Sequence, residues 1–280
     1  MTDPNLTQYG LPRPTVDERL GLALYGDDFG AGELEIWFRN EENGYFHLQG
    51  TEYASNNEGG FEYLAADTFH FYDRLEDRHF PTCLALGCAD GADVSCLATK
   101  VDRFVAIEPA RKWWREMIGG KPSQYHAPCT DGSFELPDAS IDLATVYGVL
   151  HHIPHVSATM AELGRVLKPG GILLLREPIV SMGDFTRPRP GLTAHERGIP
   201  EPLLDRMFAE NRIAVRYKAR TRFNALFHLL AKLGANSNSR LAVRIDALLC
   251  RLTGFNKRYC RTRSWQKLGP SGIVYIGEKM

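Results

Sequence analysis

The run Cys83-Leu84-Ala85-Leu86-Gly87-Cys88-Ala89-Asp90-Gly91-Ala92, followed by Phe104-Val105-Ala106-Ile107-Glu108, leaves this chain few folds to adopt. The apolar stretches do not alternate, which is the pattern of parallel strands covered on both faces. Gly87, Ala89 and Gly91 permit a sharp turn and a close approach of backbone to a ligand. A helix beginning near Gly91 would aim its free N–H groups at that ligand. Glu108, about 20 residues further on, stands where an acid accepts hydrogen bonds from ribose hydroxyls in a nucleotide-binding βαβ unit.

At 280 residues, 44% hydrophobic and 24% charged, the chain can bury a large core. No basic segment followed by an apolar core marks a signal peptide, and no apolar run nears the ~18 residues of a spanning helix. The six cysteines show no CxxC pair or zinc spacing. Reduced thiols and a soluble, cytoplasmic protein are expected. The charge is lopsided: residues 1–180 hold 14 Lys/Arg against 27 Asp/Glu, and residues 181–280 hold 19 against 7. The two parts attract each other, and the basic one suits an anionic partner.

Residues 1–60 read as an irregular arm followed by a β-hairpin, Glu33–Arg39 against Tyr45–Leu48, with Gly44 at the turn. Thr51 to Gly60 reads as a polar loop. Phe61 to Arg78 has helical spacing. Ala110 to Ile118 reads as a helix closed by Gly119-Gly120, and Ser123 to Ala127 as a strand. Ile141 to Tyr147 is a further strand, followed by a helix from about His155 to Leu167 and a strand from Ile172 to Leu175. The alternation predicts a Rossmann-like, doubly wound, mostly parallel α/β sheet with its ligand beyond the carboxyl ends of the strands. Gly87 to Gly91, Glu108, Asp131, Tyr147 to His152 and Glu177 fall there.

Residues 83–177 resemble class I S-adenosylmethionine-dependent methyltransferases of the type-11, ubiquinone/menaquinone-methyltransferase-like branch. The segments LALGCADG, VAIEP, FELPDASIDLATVYGVLHHIP and ELGRVLKPGGILLLREP carry the likeness, in the family's order. A nicotinamide-dependent oxidoreductase would fit the glycine turn but not Lys168-Pro169-Gly170-Gly171. The resemblance implies seven strands, the last antiparallel, and S-adenosyl-L-methionine as cofactor. It places the turn of Gly87, Cys88, Ala89 and Gly91 at the methionine portion of the cofactor, Glu108 at the ribose and Asp131 with Gly132 at the adenine. Tyr147 falls near the sulfonium. Ala85 stands where the family often has Asp, and Ala89 where it has Gly.

If the methyl acceptor is a hydroxyl, a base must take its proton. His151 and His152 are the catalytic candidates, with His155, His195, Glu177 and Glu196 behind them; no metal is expected. Residues 61–221 form the expected core. Its loop after the fifth strand carries Arg187, Arg189, His195 and Arg197 as substrate-binding candidates, the arginines suited to phosphate or carboxylate. That loop also resembles one in methyltransferases of bacterial polysaccharide synthesis. Glu201 to Glu210 reads as a helix, and Arg212 to Arg220 and Gly272 to Glu278 as the edge strands. Residues 222–268 are a basic helical insertion before the final strand at 269–280.

Three roles are open for the insertion: a pocket wall or lid (favoured), contact with an anionic membrane surface, or an oligomer interface. The sequence thus predicts a methyltransferase acting on a small-molecule or glycan-intermediate acceptor, by O-methylation. The alternatives are a non-catalytic cofactor-binding scaffold and an enzyme of lipid-linked acceptors. Nucleic acid is not an expected partner.

Overall fold

The computed structural model describes residues 5–48 and 63–280. The central strand β1 (Phe80–Leu86) pairs in parallel with β2 (Val101–Ile107) on one side and β5 (Ile141–Tyr147) on the other. β4 (Lys121–His126) continues the sheet beyond β2, and the short β3 (Met117–Ile118) pairs antiparallel with β4. β6 (Leu167–Pro178) lies parallel to β5. β8 (Pro270–Lys279) runs antiparallel between β6 and β7 (Ile213–Phe223). The spatial order is β3-β4-β2-β1-β5-β6-β8-β7. Among the described residues the sheet therefore has eight strands rather than the seven expected, the short β3 being the addition. The Gly119-Gly120 pair, taken as a helix end, has φ of +55° and +81°. Two successive positive φ angles make a tight hairpin turn, which folds Met117–Ile118 back on Lys121–Pro122.

Successive residues of the central strands enter opposite cores. Leu84, Val105, Ala144 and Leu173 pack under α4 (Val156–Val166) and α5 (Glu201–Glu210). Cys83, Phe104, Leu143 and Leu174 face Phe71, Leu75, Leu97 and Ile118. This is why the strands read as unbroken apolar runs. The helix expected at Gly91 is a 3₁₀ turn at Ser95–Thr99, and the one expected over 110–118 is a 3₁₀ turn at Arg111–Trp113. Of the Phe61–Arg78 helix, the described part is α3 (Leu64–His70) and a 3₁₀ turn at Tyr72–Arg74. The polar loop expected over 51–60 lies outside the described residues.

The arm holds α1 (Val16–Leu20) and then α2 (Ala31–Leu48) where a hairpin was expected. Leu34, Trp37 and Glu41, spaced i, i+3 and i+7, are its buried face. Trp37 is fully buried and donates its indole N–H to the His152 carbonyl at 2.7 Å. Around it gather Tyr25, Phe29 and Phe185. The insertion forms α6 (Asn224–Lys232) and α7 (Arg240–Leu252), the latter packed on β7 and α3. Among the described residues no helix is long and apolar enough to cross a membrane.

Trp37 carries the docking of α2 onto the turn after β5 and the loop that bears Phe185. Trp37→Ala should lower the unfolding free energy in urea by about 3–5 kcal/mol; a change within 0.5 kcal/mol would show that α2 contributes nothing to the core.

Candidate active site

The site lies at the carboxyl ends of β1, β2, β5 and β6. At the β1 exit, Gly87 and Gly91 have φ of +61° and +81°. A Cβ on Gly87 would stand 2.7 Å from the Val149 methyls, and one on Gly91 2.6 Å from Ile118. Both positions therefore require glycine, and the turn is seated directly on the loop that leaves β5. Ala89 takes φ +48°, a costly conformation for a residue with a Cβ. Its N–H bonds the Glu108 carboxylate at 3.0 Å and its carbonyl accepts from the Tyr125 hydroxyl at 2.9 Å. The second Glu108 oxygen accepts from Ala110 N–H at 2.9 Å. Burial raises the Glu108 pKa, against the pull of these two N–H donors. Cys88 is buried beneath the turn. Asp131 is exposed and turned on its neighbour, accepting from the Ser133 N–H and hydroxyl, which lower its pKa; Gly132 beside it has φ +83°.

A polar group not foreseen lies behind the turn. Asp67 of α3, fully buried, pairs with Arg176 at 2.9 Å. Burial lifts its pKa to about 6, with Arg176 opposing. Asp93 is raised to about 7, first by burial and in part by Asp67. Its Oδ1 is buried without a hydrogen-bond partner. Tyr147, at the end of β5, stacks on Phe71 at 5.4 Å between ring centres. Arg176 sits 5.3 Å from the Tyr147 ring.

The second half of the site is the turn after β5. Glu177, fully buried at the end of β6, accepts from the N–H groups of Val149 and Leu150 with one oxygen, at 2.8 and 2.7 Å. The other oxygen lies 2.8 Å from His151 Nδ1. Because a carboxylate only accepts, Nδ1 carries the proton in this pair and Nε2 is left as the basic atom. The His151 pKa is lowered by burial first and then by His152. His151 borders Gly148, where a Cβ would stand 3.6 Å from the imidazole and 3.9 Å from the Arg176 guanidinium. The two sub-sites thus meet at Gly148.

His152 bonds Glu41 of α2 at 2.9 Å and Thr193 at 3.1 Å through Nδ1. Glu41 also takes the Thr193 hydroxyl and the His195 N–H, which with His152 hold its pKa down although burial would raise it. His155 bonds the Phe29 carbonyl at 2.7 Å, outside this group. The donor atoms of His151, His152 and Glu196 fall within 4.8 Å of one another. One Glu196 oxygen, Oε1, accepts from the Thr193 N–H and hydroxyl at 2.8 and 3.0 Å.

The loop arginines differ in placement from the sequence reading. Arg197 is fully buried, and its guanidinium donates to the carbonyls of Tyr25, Leu150, His151, Ile153 and Pro154. Arg189 donates to the carbonyls of Met182, Glu196, Thr193 and Ala194. Arg197 ties the arm to the turn after β5, whereas Arg189, half-buried, ties together residues of its own loop while its Nε is buried without a hydrogen-bond partner. Arg187 is exposed beside Asp184 at 3.5 Å. His195 is buried, stacked on Trp37 at 4.4 Å and 3.2 Å from the Asn40 amide.

Burial pushes the His195 pKa down to about 4, with Glu41 opposing and Arg197 and Arg189 assisting. An unfolded histidine protonates near 6.5. Neutral His195 therefore stabilises the fold fully above about pH 6.5, and that contribution falls as pH drops toward 4. The stability gap between wild type and His195→Gln should narrow by about 2–3 kcal/mol from pH 7.5 to pH 4.5. A gap independent of pH would contradict a buried neutral ring.

A methyltransferase-domain family pattern matches residues 84–175. An uncharacterized 37.1 kDa protein in transposon Tn4556 of Streptomyces fradiae is 30% identical over 115 residues, 38% of this chain and 32% of that protein. An uncharacterized methyltransferase of Mycobacterium tuberculosis is 29% identical over 110 residues, 36% of this chain and 55% of the relative. The chain thus aligns with a third to about half of these relatives' lengths.

Among solved structures, a SAM-dependent methyltransferase of Archaeoglobus fulgidus matches with TM-score 0.53 and 13% identity, over 84% of this chain and 99% of that one. The 1,6-didemethyltoxoflavin-N1-methyltransferase of Burkholderia thailandensis matches with TM-score 0.52 and 14% identity, over 90% and 91%. The N-methyltransferase NodS of Bradyrhizobium japonicum, solved with S-adenosyl-L-homocysteine, matches with TM-score 0.51 and 14% identity, over 86% and 98%. At these identities the structures share the fold. Residues 84–175, with their glycine turn, buried acid and parallel strands, match a methyltransferase-domain family, and the chain shares its fold with SAM-dependent methyltransferases.

Proposed function

We propose that the chain transfers a methyl group from S-adenosyl-L-methionine to a hydroxyl of a small molecule, a class that includes glycan intermediates. The observation that carries this reading is the His151–Glu177 pair, 2.8 Å apart, at the exit of β5. When bound, the cofactor supplies a sulfonium-borne methyl group, already activated for displacement. The protein's tasks are then alignment and proton removal.

The residues fit the cofactor. The Gly87–Gly91 turn leaves no room for a Cβ and suits the methionine portion. The Glu108 oxygens keep lone pairs for the ribose diol beyond the two N–H groups they hold. The partnerless Oδ1 of Asp93 is suited to the cofactor's ammonium group, the role left open by Ala85. Tyr147, stacked on Phe71, forms a wall near the methyl donor, and Asp131 with Gly132 lies at the adenine end.

His151 takes the acceptor's proton on Nε2 as the carbon–oxygen bond forms. Its lowered pKa keeps it neutral, and able to accept, near pH 7. Glu177 fixes the tautomer and stabilises the resulting imidazolium. His152, tied to Glu41 and Thr193, positions the turn from the other side. With Arg189 and Arg197 turned onto backbone carbonyls, the acceptor needs no negative charge.

Once a labelled-cofactor screen has found an acceptor, His151→Gln should lower kcat about 10²–10⁴-fold with KM little changed. Glu177→Gln should lower kcat less and move the acid limb of the pH profile downward, because Glu177 raises the His151 pKa. Full kcat in His151→Gln would remove the base; a methylated nitrogen in the product would replace the hydroxyl reading. Cofactor binding with no transfer to any acceptor would favour a scaffold.

A further inference from the structure

The helical insertion holds nine Lys/Arg and a single acid between residues 224 and 268. That acid, Asp246, is buried: its carboxylate accepts from the N–H groups of Arg222 and Phe223 at 2.9 and 2.6 Å. It caps the end of β7 and presents no charge to solvent. The exposed surface of this segment is therefore cationic without any acidic side chain.

α7 has two faces. Ala242, Val243, Asp246 and Cys250 are buried against β7 and α3. Leu241, Ile245, Leu248 and Leu252, at i, i+4, i+7 and i+11, form an outward stripe; Leu241, Leu248 and Leu252 are 69%, 56% and 63% exposed. Arg240, Arg244 and Arg251 lie along one edge of that stripe, all exposed. Phe255, 83% exposed, follows within a turn of the helix end, flanked by exposed Lys257 and Arg258. Trp265 and Leu268 repeat the pairing with Arg263 and Lys267.

Four aliphatic side chains, a phenylalanine and a tryptophan held in water are costly to leave uncovered. A nucleic acid would satisfy the cations but not the aliphatic stripe. A helix with an apolar face, arginines at its rim and aromatic side chains nearby is built for the boundary between headgroups and acyl chains. The excess of exposed cations, with Asp73 beside Arg240 at 3.5 Å as an acid at the rim, favours a negatively charged leaflet.

We infer that the exposed face of residues 240–268 binds the surface of an anionic lipid bilayer, with the Leu241–Leu252 stripe and Phe255 inserted among the acyl chains and the arginines on lipid phosphates. α7 rests on α3, the helix that supplies Asp67 to the cofactor half of the site. The lipid surface therefore lies on a helix packed directly against α3. The inference stands on the insertion and does not require the proposed hydroxyl acceptor.

The full chain, without cofactor, should be floated with phosphatidylcholine vesicles and with vesicles containing 30% phosphatidylglycerol, a ratio of about 7:3 chosen to give a strong anionic surface potential. Binding should be at least about tenfold tighter on the anionic vesicles and weaken with added salt. Leu248→Asp with Leu252→Asp, and separately Arg244→Glu with Arg251→Glu, should each reduce binding more than about tenfold. All four positions are exposed, so the circular dichroism spectrum should be unchanged. No flotation with anionic vesicles, or flotation indifferent to the leucine pair, would overturn the inference. So would tighter binding to a single-stranded RNA than to the vesicles, or a lipid-independent dimer abolished by the same leucine variants.

Discussion

A buried guanidinium sets the geometry of the turn after β5. Arg197 is surrounded by carbonyls from the arm, at Tyr25, and from the turn after β5, at Leu150, His151, Ile153 and Pro154. Burying a charge without matched partners costs several kcal/mol; here the loops fold so that every edge of the guanidinium meets an oxygen. The turn that bears His151 and His152 is thus held from the carbonyl side by Arg197 and from the amide side by Glu177. Neither residue is placed to move without leaving polar groups unpaired.

Rigidity of this turn fixes where His151 stands, as the proposed role of a base requires. Glu177 bonds two backbone N–H groups and the imidazole at once, so the ring's position relative to Gly148 is inherited from β6. On the cofactor side Glu108 does the same for the glycine turn, joining Ala89 and Ala110 across the ends of β1 and β2. Ala89 holds a conformation that glycine would adopt without strain, and the Glu108 and Tyr125 bonds offset that cost. One buried acid at each end of the sheet's carboxyl edge fixes the loop that precedes it in space. The carboxyl edge of the sheet is therefore organised by carboxylates whose main partners are backbone amides.

The parallel core was legible because its signal is local: Leu84, Val105, Ala144 and Leu173 sit in runs without alternation, and only a strand buried on both faces requires that. The edge strand β7 and its neighbour β8 were legible from partial alternation, although β8, paired on both sides, is buried on both faces. α2 was misread because Ile36-Trp37-Phe38 is contiguous and partly alternating, while its true signal is the spacing of Leu34, Trp37 and Glu41, with a buried acid where an apolar residue was sought. The Gly119-Gly120 pair could end a helix or turn a hairpin, and only the partner strand decides. In the site, the glycine turn and the acid at Glu108 had motif support. The Glu41–His152, Asp67–Arg176 and Arg197 contacts join residues far apart in sequence, and no spacing announces them. Arg189 and Arg197 looked like solvent-facing forks because a buried arginine satisfied by carbonyls has the same sequence signature as one awaiting a phosphate.

The central claim is a cofactor site organised by Glu108. The most direct measurement is titration calorimetry of wild type and Glu108→Ala with S-adenosyl-L-homocysteine, each variant checked for its thermal transition. A single binding event is expected in wild type, with an affinity at least about tenfold lower in Glu108→Ala, the loss of a charge-assisted hydrogen bond. Folded wild-type protein that takes up no ligand would contradict it, as would a Glu108→Ala protein that binds as tightly as wild type.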